Sequence, residues 1–391
     1  MLLHGSGSLP TPGTFSSLDS DFEEAVAVHV GMGLFFQALE EGRDDHDVVR
    51  GGLALADQAE PRGFGSIWTA EHHFTRYHMM PNPAQLLTWL AGRTTHARLG
   101  TMVMVLPWHD PVRVAEEIAW LDSVSGGRVV LGLGRGLGSV EFDGFRLEMG
   151  ESRQRFVEYA TAISGAFESG AIEADGELYR QPRAELHPPA FTTFRGRTYA
   201  SAVSPESARI MATLGYGLML IAQKPWEVTV RETAEYRELF RGIHGADPPA
   251  PVLVNFTTVD PDPARARDLH DEYATAYARS TIDHYGFTDE RLEHVPGYEY
   301  YAGLRRNITR HGLPAFNRFL ADLQMGGTPD DLVEQTVERV RALDAGGVVN
   351  LFAFGGMPQH VAQRALDVYA DRVLPKLAAV DPHRDIAGQR A

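Results

Sequence analysis

The chain has no cysteine. That excludes disulfides, thiolate metal sites and a cysteine nucleophile, and it fits a reducing, cytoplasmic setting. No apolar run reaches the roughly 18–20 residues needed to cross a bilayer, so no membrane association is expected. Basic residues are scarce: 36 Lys+Arg face 52 Asp+Glu, giving a formal charge of −16. With no basic stripe to offset it, a nucleic-acid partner is not expected. Neither H-x-H nor H-E-x-x-H occurs, so the usual metal motifs of barrel hydrolases are missing and no metal is expected. After the first apolar run the chain reads GMGLFFQALEEG, which does not match the G-x-G-x-x-G fingerprint of an open doubly wound sheet.

What is present is alternation. At 391 residues and 43% hydrophobic the chain can bury a large core. Apolar runs at 30–37, 65–69, 99–106, 128–133, 198–202, 217–221, 252–259 and 348–353 read as strands, and helical spacings separate them. Eight strands alternating with helices predict a single α/β domain, a (β/α)8 TIM barrel over residues 29–380. Residues 1–28, rich in Gly, Ser and Pro, read as a flexible extension, and 381–391 as a tail. Two insertions interrupt the pattern. Residues 172–194, after the fourth helix, read as a hairpin or extended loop. Residues 285–323, after strand seven, read as a long irregular segment of the kind that forms lids.

Polar groups gather at the predicted strand ends, where barrel enzymes keep their chemistry. Glu71-His72-His73 ends strand two, and a histidine there can act as a general base near neutral pH. In an extended chain the two histidines face opposite ways, with His72 taken as the inward one. Trp108 and His109, beyond strand three, are candidates to line a flat apolar pocket. Arg135 lies in GLGRGLG after strand four, where glycines admit a ligand and the guanidinium can grip a phosphate. Ser204-Pro205-Glu206-Ser207 reads as a helix start after strand five, offering N–H groups and two hydroxyls. Arg135 and that helix start on adjacent strands make a phosphate site. Beside an apolar mouth, such a site suits a flavin mononucleotide.

These residues carry a resemblance. Trp68-Thr-Ala-Glu-His-His-Phe74, Asn82-Pro83, Leu99-Gly-Thr101, Leu106-Pro107, His109-Asp-Pro-Val-Arg113, Leu121-Asp122, Ser125-Gly-Gly-Arg128 and Gly134-Arg-Gly-Leu137 together resemble the luciferase-like flavin monooxygenases. The likeness is densest over residues 30–137, where it approaches the bacterial luciferase α subunit, and looser through Ser204 and Ser207. It implies a barrel that takes reduced FMN from a separate reductase and reacts it with O2 as a C4a-hydroperoxyflavin. The adduct would then oxygenate an organic small molecule, by hydroxylation or in Baeyer–Villiger fashion. It implies His72 as catalytic base or peroxyflavin partner, and Arg135, Ser204 and Ser207 around the phosphate. Met102–Val103, often joined by a cis peptide in the family, would lie against the flavin ring. Glu71 and Leu137 are assigned to the cofactor site with them, and a homodimer burying the helices after strands two and three is expected. The chain departs from the luciferase α subunit at Gly134, where that subunit has a reactive cysteine, and in both insertions, so light emission is not implied. A deazaflavin-dependent oxidoreductase and a non-catalytic flavin-binding subunit are the alternatives.

Overall fold

A computed structural model describes residues 28–201 and 205–381. All but the last residue of the expected extension, all but the first residue of the expected tail, and Ser204 lie outside them. In chain order the elements are β1 (His29–Leu34), α1 (Asp45–Ala59), β2 (Ser66–Thr69), α2 (Pro83–Ala91), β3 (Arg98–Thr101), β4 (Met104–Val105), α3 (Pro111–Ser125) and β5 (Val129–Gly134). Then come α4 (Ser139–Phe145), α5 (Ser152–Ser169), β6 (Ala171–Asp175), β7 (Arg180–Glu185), β8 (Thr198–Ser201), α6 (Pro205–Leu214), β9 (Gly217–Ile221) and α7 (Trp226–His244). The chain closes through β10 (Val252–Val259), α8 (Pro263–Leu269), α9 (Thr275–Tyr285), α10 (Glu299–His311) and α11 (Leu313–Asp322). The last elements are β11 (Met325–Gly327), α12 (Pro329–Leu343), β12 (Gly347–Leu351), α13 (Gln359–Arg372) and α14 (Leu374–Leu377).

Eight parallel staves close into a barrel in the order β1, β2, β3, β5, β8, β9, β10, β12 and back to β1. Helix starts follow the chemistry of their first residues. Asn82 and Asp110 accept from the backbone N–H groups of Gln85 and Val112, each with proline next in line. Alternation along β10 sorts its side chains: Val252, Val254 and Phe256 point into the barrel, while Leu253 joins the outer layer against the helices.

Three expectations change. The third stave is not continuous over 99–106: it breaks after Thr101, and the Met102–Val103 peptide is cis before β4 resumes pairing with β5. Residues 285–323 are largely helical rather than irregular. Their tyrosines fall at helical spacing, so Tyr298, Tyr301 and Ile308, with Phe316 and Leu320 of α11, bury one face in a small core of their own. The short elements α4 and β11 were not read at all. The insertion at 172–194 does contain a hairpin, β6 with β7 antiparallel.

The lower barrel is plugged by Trp68. Its ring lies across β3 so closely that a Cβ added at Gly100 would fall on the indole, which is why that stave carries glycine there. Trp68 Nε1 donates to Ser66 Oγ at 2.7 Å, and Ser66 Oγ lies 2.9 Å from His29 Nε2. The hydroxyl can thus pass its own proton toward His29, an arrangement suited to a neutral imidazole. Burial, helped by the Arg98 charge, pulls the His29 pKa down to about 4.

Gly100→Ala should cost about 1–3 kcal/mol through overpacking against Trp68, read as a lower urea midpoint at unchanged slope. No loss of stability would contradict the plug. The half-buried His29 also gives a pH dependence. A histidine that resists protonation when folded but accepts it when unfolded contributes stability present above pH about 6.5 and lost as pH falls toward about 4. His29→Gln should flatten the stability–pH curve across that window, and an unchanged slope would remove His29 as its source.

Candidate active site

At the C-terminal ends of the staves a cavity opens over an apolar floor of Phe35, Met102, Val103, Val254, Phe256 and Leu351. Its lining also includes Glu71, His72, Trp108, Arg135, Leu137, Glu141, Ser207, Tyr285 and Tyr301. Seven of the eight residues expected at the cofactor site therefore meet in one cavity, and the eighth, Ser204, lies outside the described residues. His109 does not line it.

Two buried carboxylates organise one wall. Glu71 is 1% exposed. Its Oε1 sits 2.6 Å from His109 Nε2 and 3.0 Å from His73 Nε2, and its Oε2 accepts from Val105 N–H at 2.8 Å. Burial alone would raise its pKa, but the hydrogen bonds from His109 and His73 outweigh it and leave the carboxyl below its ordinary range. Burial likewise depresses His109, and the Glu71 carboxylate more than reverses this, leaving its pKa raised. Glu71 borders the cavity, yet its oxygens are spent on the wall. By holding Val105, it clamps the stave immediately after the cis peptide.

The second carboxylate is Glu141 of α4, fully buried. Its Oε1 lies 3.0 Å from His72 Nδ1 and accepts from His73 N–H at 2.9 Å. His284, near the end of α9, brings Nε2 to 3.1 Å from His72 Nδ1 and Nδ1 to 2.8 Å from Thr75 Oγ1. On the far side of the His72 ring, Nε2 faces the Tyr285 hydroxyl at 3.3 Å. Burial would raise the Glu141 pKa, but the neighbouring His72 and, after it, His284 pull it down to about 2. Burial lowers His284, and the His72 charge lowers it further against the pull of Glu141.

The adjacent histidines do not divide by strand alternation, because β2 ends at Thr69. They separate through these two carboxylates. His72 turns to Glu141 and lines the cavity, while the His73 ring turns to Glu71 and meets Trp108 and Phe145 edge-on. Glu141, His284 and Tyr285 are site residues that the sequence reading missed. Only the valine-glutamate-phenylalanine run after the glycines hinted at an amphipathic turn carrying Glu141.

At the opposite end stands Arg135. Its Nη2 donates to Gly297 O at 2.7 Å, and its guanidinium lies over Tyr298 at 4.1 Å. Nη1 is buried with no hydrogen-bond partner among the described residues. A buried donor of this kind is costly unless something accepts from it. Ser207, on the first turn of α6, lines the same end and is 7% exposed. Gly134 comes so close to the third stave that a Cβ there would meet Val103 Cγ2. A cysteine at this position would displace the valine that forms the cavity floor.

A family model described as luciferase-like monooxygenase matches residues 29–346. The alkanal monooxygenase alpha chain of Aliivibrio fischeri is 28% identical over 315 residues, covering 79% of this chain and 87% of its own. Among solved structures, the monooxygenase RslO1 from Streptomyces bottropensis superposes with a TM-score of 0.75 at 23% identity, covering 89% of this chain and 99% of its own. The oxygenating constituent of 3,6-diketocamphane monooxygenase from Pseudomonas putida, a type II Baeyer–Villiger enzyme in complex with FMN, gives 0.69 at 20% identity, covering 90% and 99%. An F420-dependent secondary alcohol dehydrogenase bound to an F420–acetone adduct gives 0.65 at 17% identity, again covering 90% and 99%.

Proposed function

The chain belongs to the luciferase-like monooxygenase family, and on that footing we propose that it is a flavin monooxygenase. It would take reduced FMN from a separate reductase and use it with O2 to oxygenate an organic small molecule. The observation that carries the choice of a phosphate-bearing flavin is Arg135 Nη1, a buried cationic donor without a partner among the described residues, in the cavity that Ser207 also lines. The FMN complex of the diketocamphane enzyme supports the same reading by likeness of fold. The F420-dependent dehydrogenase keeps a deazaflavin as the second reading, since it shares the barrel. His72, held by Glu141 at the cavity wall, favours a catalyst over a non-catalytic binding subunit.

When bound, the reduced flavin supplies the electrons that activate O2. The chain's own residues do the rest. Arg135 and Ser207 would hold the phosphate, with Ser204 proposed beside them. Met102 and Val103 would underlie the ring, and Leu137 lines the cavity with them. His72 takes or holds a proton at Nε2, the atom on the cavity side of its ring. Trp108, Tyr285 and Tyr301 shut water out of that side.

The proposed homodimer finds its support in α2 and α3, which pack together and expose Trp89 at 41%, Trp120 at 55% and Val124 at 44%. Indoles left in water on adjoining helices mark a surface to be covered.

Arg135→Ala should weaken FMN binding by about 10–100-fold, the worth of one or two hydrogen bonds to a charged group, while riboflavin binding barely changes. Titration calorimetry on the whole chain reads both. A wild-type protein that binds FMN no better than riboflavin would sink the phosphate assignment, and preference for F420 over FMN would move the chain to the second reading. His72→Ala should leave FMN affinity intact while nearly all O2 consumed by the reduced complex appears as hydrogen peroxide; retained coupling would remove His72 from the chemistry. For the dimer, Trp120→Glu should halve the mass seen by light scattering after gel filtration, and a wild-type monomer would refute it.

A further inference from the structure

The surroundings of His72 are more elaborate than a single base requires. Five polar groups face its ring: Glu141 from α4, His284 and Tyr285 from α9, and Tyr77 and His78 from the loop after β2. Three of them have fixed parts. His78 is fully buried, accepts from Phe36 N–H at Nδ1 and turns Nε2 to Ala70 O, so it is a neutral, occupied ring. Tyr77 stacks on His284 at 4.4 Å with its hydroxyl on Thr281. Tyr285 sits at Nε2.

The remaining contacts converge on one atom, His72 Nδ1, which lies 3.0 Å from Glu141 Oε1 and 3.1 Å from His284 Nε2. Two facing nitrogens cannot both present protons. The carboxylate accepts only, so the proton belongs on His72 Nδ1, shared between Glu141 Oε1 and a lone pair on His284 Nε2. His284 then keeps its own hydrogen on Nδ1, where Thr75 Oγ1 accepts it at 2.8 Å. Both contacts at His72 Nδ1 are then satisfied with both rings neutral, and the His72 Nε2 lone pair faces the Tyr285 hydroxyl at the cavity side.

We infer that Glu141 and His284 are positioning residues that lock His72 in its Nδ1–H tautomer, and that His284 is a second seat for the proton His72 takes up. The inference rests on His72 being the base of the proposed reaction. The transfer balances. An N–H bond forms at His72 Nε2 as the reacting group loses its proton. The His72 Nδ1–H bond breaks, and a new N–H forms at His284 Nε2. His72 is neutral again as its Nε2–H tautomer, and the positive charge rests on His284, one ring further from the reacting atoms. Glu141 stays ionised throughout and holds the charge in place. Because Glu141 and His284 touch neither cofactor nor substrate in this scheme, they act only through His72.

Long-range 1H–15N spectra of the histidine rings, recorded on the full cofactor-free chain and assigned with His72→Gln and His284→Gln, test this directly. At neutral pH His72 should carry its proton on Nδ1, and on acidification the two rings should titrate with a common midpoint. Glu141→Gln should lower that midpoint by about 1–3 pH units, the effect of removing an adjacent opposite charge. Glu141→Asp should restore most of it, and His284→Phe should leave His72 titrating alone. A wild-type His72 in the Nε2–H form, or a midpoint indifferent to Glu141→Gln, overturns the inference. The wild-type tautomer needs no variant, so a poorly folding mutant does not blunt the test. The spectra are also independent of the flavin reading. If they come out as expected while His72→Ala keeps full coupling in the loaded enzyme, the proposed reaction fails and the proton network stands.

Discussion

Two carboxylates buried beneath the barrel mouth, with histidines rather than lysines or arginines beside them, set the terms for everything around them. A charge removed from water must be answered by hydrogen bonds or an opposite charge. Glu71 is answered by His109, His73 and a stave N–H; Glu141 by the His72 ring and the backbone of His73. The two sets interlock at consecutive residues, since the His73 ring serves one carboxylate and its N–H the other. The turn from Glu71 to His73 therefore has one arrangement that leaves neither anion stranded. That arrangement aims His72 into the cavity and pins the chain that follows Met102–Val103.

The barrel was legible because it rests on periodicity. Parallel staves buried on both faces leave apolar runs, amphipathic helices leave a spacing of three and four, and both survive in a single chain without its partners. The cavity's ingredients were legible for a different reason: His72, Arg135 and Met102–Val103 each sit at a stave end, and stave ends are placed by the barrel itself. What could not be read were relations across long separations. Glu141 is 69 residues from His72, and His284 is 212 residues away. No spacing rule links them. The segment at 285–323 misled for a simpler reason. Its tyrosines and arginines resemble loop composition, and only the burial of Tyr298 and Tyr301, three apart, with Ile308 two turns on, shows that these aromatics are core.

The quoted motif residues also turned out to do unlike jobs. Arg128 never reaches the mouth. Its guanidinium donates to the carbonyls of Ala91, Thr94 and Ala97 and so ties the end of α2 to the foot of β3. Asp122 is fully buried, pairs both oxygens with Arg197 at 2.7 and 2.9 Å, and accepts from the backbone of Phe191 and Thr192. It anchors the inserted segment to α3. A shared string thus reports the frame as much as the chemistry. The parts that report chemistry are those whose polar atoms reach the cavity.

The Trp68 plug has a consequence for traffic. With the indole, Ser66 and His29 filling the barrel's lower half, the cavity is a blind alley whose entrance is its mouth. In a blind alley the first to enter is the last to leave. Were a flat molecule to rest on the Met102–Val103 floor, it would have to arrive before anything stacked above it and could not depart until that upper guest had gone. Sequence of arrival would then be dictated by geometry rather than by relative affinity.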